Sequence, residues 1–550
     1  MSASKANHDL PFCQVFLSGS LTVALPTIGA DLKFSEADLQ WPMNVYALAY
    51  GCLMLLFGRV GDIVGGRFMF LAGSLFFAAW TLVAAFAPTQ NIFIISMAFM
   101  GIGAAANTPA SLGLAALYFP PGPNRTKAYS ALGAGQPLGC TLGLVLGGIL
   151  TGSKATWRSA FYIQAGLAVL FAVIGFFLLP KPTTRGYSKG LDFGGAILSS
   201  AGLALLTYSL SDSTMTPRGW SAPQVPSILS VSILVLGLFV WYEMWRERKG
   251  MSVLLPMSIW TRPGTKLGPL MLCVFFAWWN FNTCSYFYTL YFQQVKLLSP
   301  LQASLWYLPL ALSGVIPAVL VAYFLGYFSG FSMMLVGILF STASPLIFAL
   351  IKVDLIYWAM TFPMVVCIVG VDAIYPIGNL QITAEFDEDS QSLAGGIFNV
   401  TTRIATSLGL AVTSSIAANV SQKYNHAHAD LSSTSPEVLM VGFRAAGWTC
   451  FATSVISLIV AVFWLRDIGN VKTDSTGAPE EGTDSDTATQ VNVSVEPKEK
   501  DVESGPSENE GGLTAKVITP APSTLFTATS RTQSIHSSSS CAVSVREEQV

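Results

Sequence analysis

Fourteen apolar stretches, each close to the length of a bilayer-spanning helix, dominate this sequence. They lie at about 11–29, 41–58, 68–86, 91–118, 128–152, 158–179, 191–210, 225–245, 268–292, 303–324, 330–350, 355–379, 392–419 and 440–465, and a spanning helix needs roughly 20 mostly apolar residues. Soluble domains would need a polar surface to enclose such runs. Only 11% of the 550 residues are charged, against about 25% in soluble proteins. Lipid offers no partner to unpaired backbone groups, and the alternation of barrel strands is absent, so the runs are helices. The expected fold is an all-α polytopic membrane protein whose first partner is the lipid bilayer. The first run is the weakest, short and broken by Ser18, Gly19, Ser20 and Thr22, which leaves a native short span and an incomplete beginning both open.

An even number of spans puts both termini on one side, and lysine and arginine decide which. With the N-terminus inside, the short inner loops hold twelve: Arg59, Arg67, Arg125, Lys127, Lys181, Arg185, Lys189, Arg246, Arg248, Lys249, Arg262 and Lys266. The outer loops over the same stretch hold five: Lys33, Lys154, Arg158, Arg218 and Lys296. Both termini are therefore expected in the cytoplasm. From Asp467 to Val550 the composition turns to Ser, Thr, Glu, Asp, Pro and Gly, too polar to bury a core, so a disordered cytoplasmic tail is expected.

Several function classes fall away at this point. A net charge of −2 gives no basic domain for nucleic acid. The eight cysteines are scattered without a CxxC pair, so neither a disulfide framework nor a zinc site is read, and His426 and His428 alone make no metal site. No phosphate loop is present, since Gly147 and Gly152 are followed by Ser153-Lys154, and neither HExxH nor GxSxG occurs in a fitting context. No enzyme, cofactor or metal is expected.

The strongest string runs from Gly58 to Arg67, Gly-Arg-Val-Gly-Asp-Ile-Val-Gly-Gly-Arg, between the second and third spans. Glycines there permit a tight reversal and close approach. A lone acid, Asp62, between Arg59 and Arg67 can bridge helix ends or face a helix N-terminus, a contact that can be made in one state and broken in another; a simple charged turn is the plainer reading. A second string places Gly135, Gly139, Gly143 and Gly147 every four residues along the fifth span, followed by Gly148, with Pro137 between the first two. That spacing presents one small face for helix packing.

Together these strings resemble the major facilitator superfamily. Gly58, Asp62, Gly65 and Arg67 match its signature loop, with Ile63 and Gly66 where that signature has basic residues. Gly139, Gly143, Gly147 and Gly148 look like the antiporter motif of its drug exporters, with Leu144 in place of the usual proline. Fourteen spans, Val23-Ala-Leu-Pro-Thr-Ile28, Trp157-Arg158 and Ala394-Gly-Gly-Ile-Phe-Asn399 resemble the fourteen-span drug:proton antiporters, most of all fungal members akin to aminotriazole-resistance exporters and low-affinity ammonium permeases. The resemblance implies a six-helix bundle over 1–190, two additional spans over 191–250, a second six-helix bundle over 251–466 and the tail over 467–550. It departs at Leu17 and Met97, which stand where the family carries an acid in span one and an arginine in span four. The internal duplication shows as Trp157-Arg-Ser-Ala-Phe-Tyr162 against Phe443-Arg-Ala-Ala-Gly-Trp448.

Polar groups inside spans are functional candidates by default, because a charge at the bilayer centre costs about 2.5–3.5 kcal/mol. Asp372 stands out, with Arg403 on the next span as its candidate partner. Asn44, Asn107, Gln136, Asn282 and Asn399 supply neutral polar groups, and Trp279 and Tyr286 aromatic surface, along a candidate transport path; helix–helix hydrogen bonding is the plainer role for the amides. Arg59, Asp62, Arg67, Gly58 and Gly65 form the candidate gate. The expected function is proton-coupled export of small organic compounds by a monomer in the plasma membrane, with the vacuolar membrane as another location. The alternatives are a permease or uniporter for a small polar solute such as ammonium, favoured by the uncharged Leu17 and Met97, and a non-transporting receptor on a transporter scaffold.

Overall fold

A computed structural model describes residues 10–34, 41–120, 122–154, 156–179, 190–216, 219–298, 300–325, 327–387, 390–428, 432 and 435–466. The expected tail, 467–550, lies outside the described residues. Among the described residues there is no strand, and fourteen helices of at least twenty residues follow one another. These are α1 (Leu10–Leu32), α2 (Trp41–Val64), α3 (Gly66–Ala85), α4 (Gln90–Tyr118), α5 (Pro123–Thr151), α6 (Arg158–Leu178), α7 (Phe193–Met215), α8 (Gln224–Arg248), α9 (Leu267–Leu290), α10 (Pro300–Phe324), α11 (Gly330–Ala349), α12 (Thr361–Glu385), α13 (Gln391–Ala427) and α14 (Pro436–Trp464).

Twelve of them are apolar enough to cross a membrane, and α1, bent by 62° between Leu21 and Val23, makes thirteen. The fourteenth, α9, has the length but is diluted by Asn280, Asn282, Ser285 and its tyrosines. The apolar runs turn outward to lipid, so Phe177, Leu234 and Phe463 are among the most exposed side chains, as an apolar medium allows.

The packing has a twofold pattern. In the first six helices α1 packs on α5 and α6, α2 on α4, and α3 on α4 and α6; eight positions later α9 packs on α13 and α14, α10 on α12, and α11 on α12 and α14. The two sets meet along two seams, α2 on α13 and α5 on α10, which exchange under the same relation. The repeated aromatic–arginine string occupies equivalent places. At the start of α6 the Arg158 guanidinium donates to the carbonyls of Ala85 (2.8 Å) and Ala87 (3.1 Å) at the end of α3. Near the start of α14 Arg444 donates to the carbonyl of Ile351 (3.0 Å) just beyond α11. Each arginine satisfies carbonyls that a helix C-terminus leaves open.

The α7–α8 hairpin lies against α2 and α13. Buried Asp192 caps α7 through the Gly195 N–H (3.0 Å) and pairs with Arg246 (3.1 Å) of α8. Arg246 also donates to the Ser252 carbonyl (2.9 Å), while Glu243 and Glu247 accept from the backbone N–H groups of Leu255 (3.2 Å) and Met257 (2.8 Å). The connection from α8 to α9 is thus held by charge-assisted hydrogen bonds rather than left to solvent.

Glycine decides how near α1 and α5 come. A side chain at Gly143 would strike the Phe16 carbonyl and come within 3.0 Å of the Ser20 nitrogen; at Gly147 it would meet Ser20 Cα at 2.7 Å. Gly19 answers from α1, against the backbone of Cys140 and Leu144. The Gly143→Leu variant is expected to push α1 off α5 at a cost of about 1–3 kcal/mol, the usual range for overpacking, read as a lower thermal midpoint of the detergent-purified protein.

Candidate functional site

The Gly58–Arg67 string is not an extended loop. Gly58, Arg59 and Asp62 belong to the last turns of α2, and the whole reversal into α3 is made by Gly65, whose φ of 108° lies in the region that favours glycine. Continuing the helix turns Asp62 inward, where it is only 7% exposed.

Its partner is the N-terminus of α13. Asp62 Oδ1 accepts from the Ser392 N–H (2.9 Å), Oδ2 accepts from the Leu393 N–H (3.1 Å), and the Ser392 hydroxyl adds a third bond. Those N–H groups are among the four that every helix start leaves without partners, and they carry the positive end of its dipole. Small residues bring the elements this close. A Cβ on Gly58 would sit 3.1 Å from the Ser392 carbonyl, and one on Gly113 of α4 would sit 2.9 Å from Ser392 Cα. On the other side of the seam, Gly395 lies against Leu112 and Gly396 against the Met54 carbonyl.

Two further bonds tie the halves at this end. Buried Arg125 at the start of α5 donates to the Gln391 carbonyl oxygen Oε1 (3.2 Å), and Gln391 in turn donates to the carbonyls of Phe386 (2.9 Å) and Asp387 (3.0 Å). Tyr129 of α5 donates to the Thr383 hydroxyl (3.4 Å) of α12. Arg67, expected beside Asp62, turns away and donates to the Phe176 carbonyl (2.6 Å) at the end of α6, its guanidinium 5.5 Å from that residue's ring. Arg59 stays within electrostatic reach of Asp62, with its Nε buried and without a hydrogen-bond partner.

Deeper along the helices the predicted polar residues separate into two groups. One group faces the seams. Arg403 of α13 lies with its guanidinium 4.6 Å from the Tyr50 ring of α2. Gln136 of α5 hydrogen-bonds the Tyr375 hydroxyl of α12, and Phe398 stands edge-on to both Tyr375 and Trp278. Asp372 lies on the other seam, where a Cβ on Gly314 of α10 would come within 3.0 Å of its Oδ2 and 2.8 Å of Pro137 Cβ on α5. The expected Asp372–Arg403 pair is absent among the described residues. The two side chains belong to different seams, one between α5, α10 and α12 and one between α2 and α13.

The second group lies away from those contacts. Asn107 donates to the Phe70 carbonyl (3.4 Å) and the Ser74 hydroxyl, joining α4 to α3. Asn282 and Asn399 bond carbonyls of their own helices, at Trp278 (3.0 Å) and Gly395 (2.9 Å). Trp279 packs on Gly409 of α13, Tyr286 is 44% exposed, and Asn44 lines a small hollow with Trp41, Tyr208 and Asp212 between α2 and α7. Leu17 and Met97 are fully buried in the apolar core.

Sequence reasoning missed Tyr50, Arg125, Tyr375, Gln391 and Ser392. Tyr375 stands three residues from Asp372, and Gln391 and Ser392 stand three and two residues before the Ala394–Asn399 string, so proximity to motifs was the available signal. Among the described residues no group of His, Cys, Asp and Glu could hold a metal ion; His428 stacks on Tyr424 with ring centres 4.2 Å apart.

The sequence matches the Major Facilitator Superfamily over residues 10–410. It is 29% identical over 511 residues to MFS-type transporter 1 of Pyricularia oryzae, covering 84% of this chain and 82% of that one. It is 26% identical to the low affinity ammonium transporter of Saccharomyces cerevisiae, covering 73% and 78% of the two chains. Against the aminotriazole resistance protein of the same yeast the identity is 25%, with 81% and 80% covered.

Proposed function

Since the chain belongs to the major facilitator superfamily, we propose that it exports small organic compounds by alternating access, coupled to protons, with the Asp62 end of the molecule facing the cytoplasm. The observation that carries this reading is the Asp62 carboxylate seated on the α13 N-terminus. It joins the two halves by bonds that can form and break as rigid bodies rock, without unfolding anything. The cytoplasmic side follows from the excess of basic residues in the loops at that end. The halves are residues 1–190 and 251–466, and the hairpin 191–250 is an appendage clamped through Asp192 and Arg246. The protein acts as a monomer in the plasma membrane, with lipid, substrate and protons as its partners.

Aminotriazole resistance is the property named for one relative, and export of a toxic compound is the simplest way a transporter confers resistance. Deletion and overexpression strains compared over a panel of drugs and metabolites, with and without a protonophore, test the reading. Lower accumulation on overexpression, abolished by the protonophore, is expected; accumulation unaffected by gene dosage across the panel contradicts it.

A second reading, uptake of a small polar solute such as ammonium, is favoured by the low affinity ammonium transporter among the relatives and by apolar Leu17 and Met97. Ammonium in the same panel separates the two, because uptake raises accumulation where export lowers it.

A further inference from the structure

We infer that Arg403 is the recognition point for organic anions, compounds joining a flat apolar body to a carboxylate or a similar oxyanion. This rests on the transport reading and names the class of substrate.

Arg403 stands twelve residues into α13, about 18 Å from the helix start at a rise of about 1.5 Å per residue, deep in a hydrocarbon layer about 30 Å thick. A charge held there is expensive and is normally paired. Among the described residues Arg403 makes no ion pair and no hydrogen bond, and its Nε is buried without a partner. Its one polar contact is the Tyr50 ring, 4.6 Å away. That contact covers a face of the guanidinium and leaves the N–H edges, the part that grips two oxygens at once, unused.

The surroundings are built to hold the group still. The Arg403 stem lies across Gly51, whose absent Cβ would be 3.6 Å from Arg403 Cβ. Tyr50 is fixed by its hydroxyl bond to Thr108 (3.0 Å) and by stacking on Tyr46 (5.9 Å). Tyr375, within electrostatic reach of the guanidinium, stands edge-on to the Phe398 ring, which in turn stands edge-on to Trp278. The one carboxylate of α12 within the membrane, Asp372, faces Gly314 and Pro137 on the other seam. The protein thus supplies an oriented fork and aromatic walls but no anion. A ligand oxyanion completes the arrangement with two charge-assisted hydrogen bonds, whereas a cationic ligand meets an uncompensated positive charge.

Binding of 2-naphthoate to the purified full-length protein, compared with neutral 2-naphthamide and cationic 2-naphthylmethylamine, tests this. The carboxylate is expected to bind at least tenfold tighter than either relative, a comparison that needs no variant. Arg403→Gln should erase the preference, and Arg403→Lys, which keeps the charge without the fork, should weaken naphthoate binding severalfold while preserving the fold. Equal binding of the three compounds, preference for the amine, or a preference that Arg403→Gln leaves intact overturns the inference. Counterflow of labelled naphthoate in proteoliposomes separates the two readings. Selective binding without counterflow removes the transport reading and leaves the recognition, while counterflow of all three compounds, indifferent to Arg403→Gln, does the reverse.

Discussion

Asp62→Asn is expected to reach the membrane at normal levels, to lose most of its flux, and to expose the ends of α2 and α13 that meet at Asp62 to labelling. The amide keeps the shape and one acceptor oxygen but gives up the charge that faces the α13 N-terminus. Hydrogen bonds to a charged group contribute about 1.5–3 kcal/mol, and neutral ones about half that. A loss of about 2 kcal/mol in the closed state changes the ratio of closed to open by about thirtyfold. Folding should be spared, because an opened gate returns the substituted side chain to the aqueous edge of the membrane. Asp62→Glu should fail as well. The close approach of Ser392 to Gly58 and Gly113 leaves no space for another methylene. Wild-type flux in both variants would reduce Asp62 to a solvated turn residue.

The second large effect belongs to Asp372. If its carboxylate carries the coupled proton, Asp372→Asn abolishes protonophore-sensitive transport while leaving exchange of substrate down its own gradient. One charge moving through 100 mV is worth about 2.3 kcal/mol, which sustains an accumulation ratio of about fiftyfold. The variant should bring that ratio to unity. Retention of the full gradient-driven ratio would make Asp372 a structural residue of the α5–α10 seam.

Much of the architecture was legible because lipid makes hydropathy a direct statement about span position. Run length placed α2 to α8 and α10 to α14, and glycine spacing identified the face of α5 that meets α1. The string around Arg158 repeats around Arg444, and each guanidinium donates to a carbonyl near the end of another helix. The candidate site was legible only in part. Asp62 announces itself as a lone acid among glycines, but its partner lies 330 residues away, and a helix N-terminus has no side-chain signature. Asp372 and Arg403 looked like a pair because they are the two deep charges of adjacent spans; which seam each faces depends on helix rotation, which hydropathy does not encode. The amides of the spans make the hydrogen bonds that are their plainer role. Asn107, Asn282 and Asn399 bind neighbouring turns and helices, the commoner use of an amide in a membrane.

The proposed gate is closed by Asp62 on the N-terminus of α13. Distances between spin labels at exposed Val64 and Asp387, placed in a background with the eight native cysteines replaced, measure it most directly. A distribution dominated by the short, closed distance is expected in the parent protein, with the ratio of closed to open falling by about thirtyfold in Asp62→Asn. Identical distributions in the two proteins would contradict it.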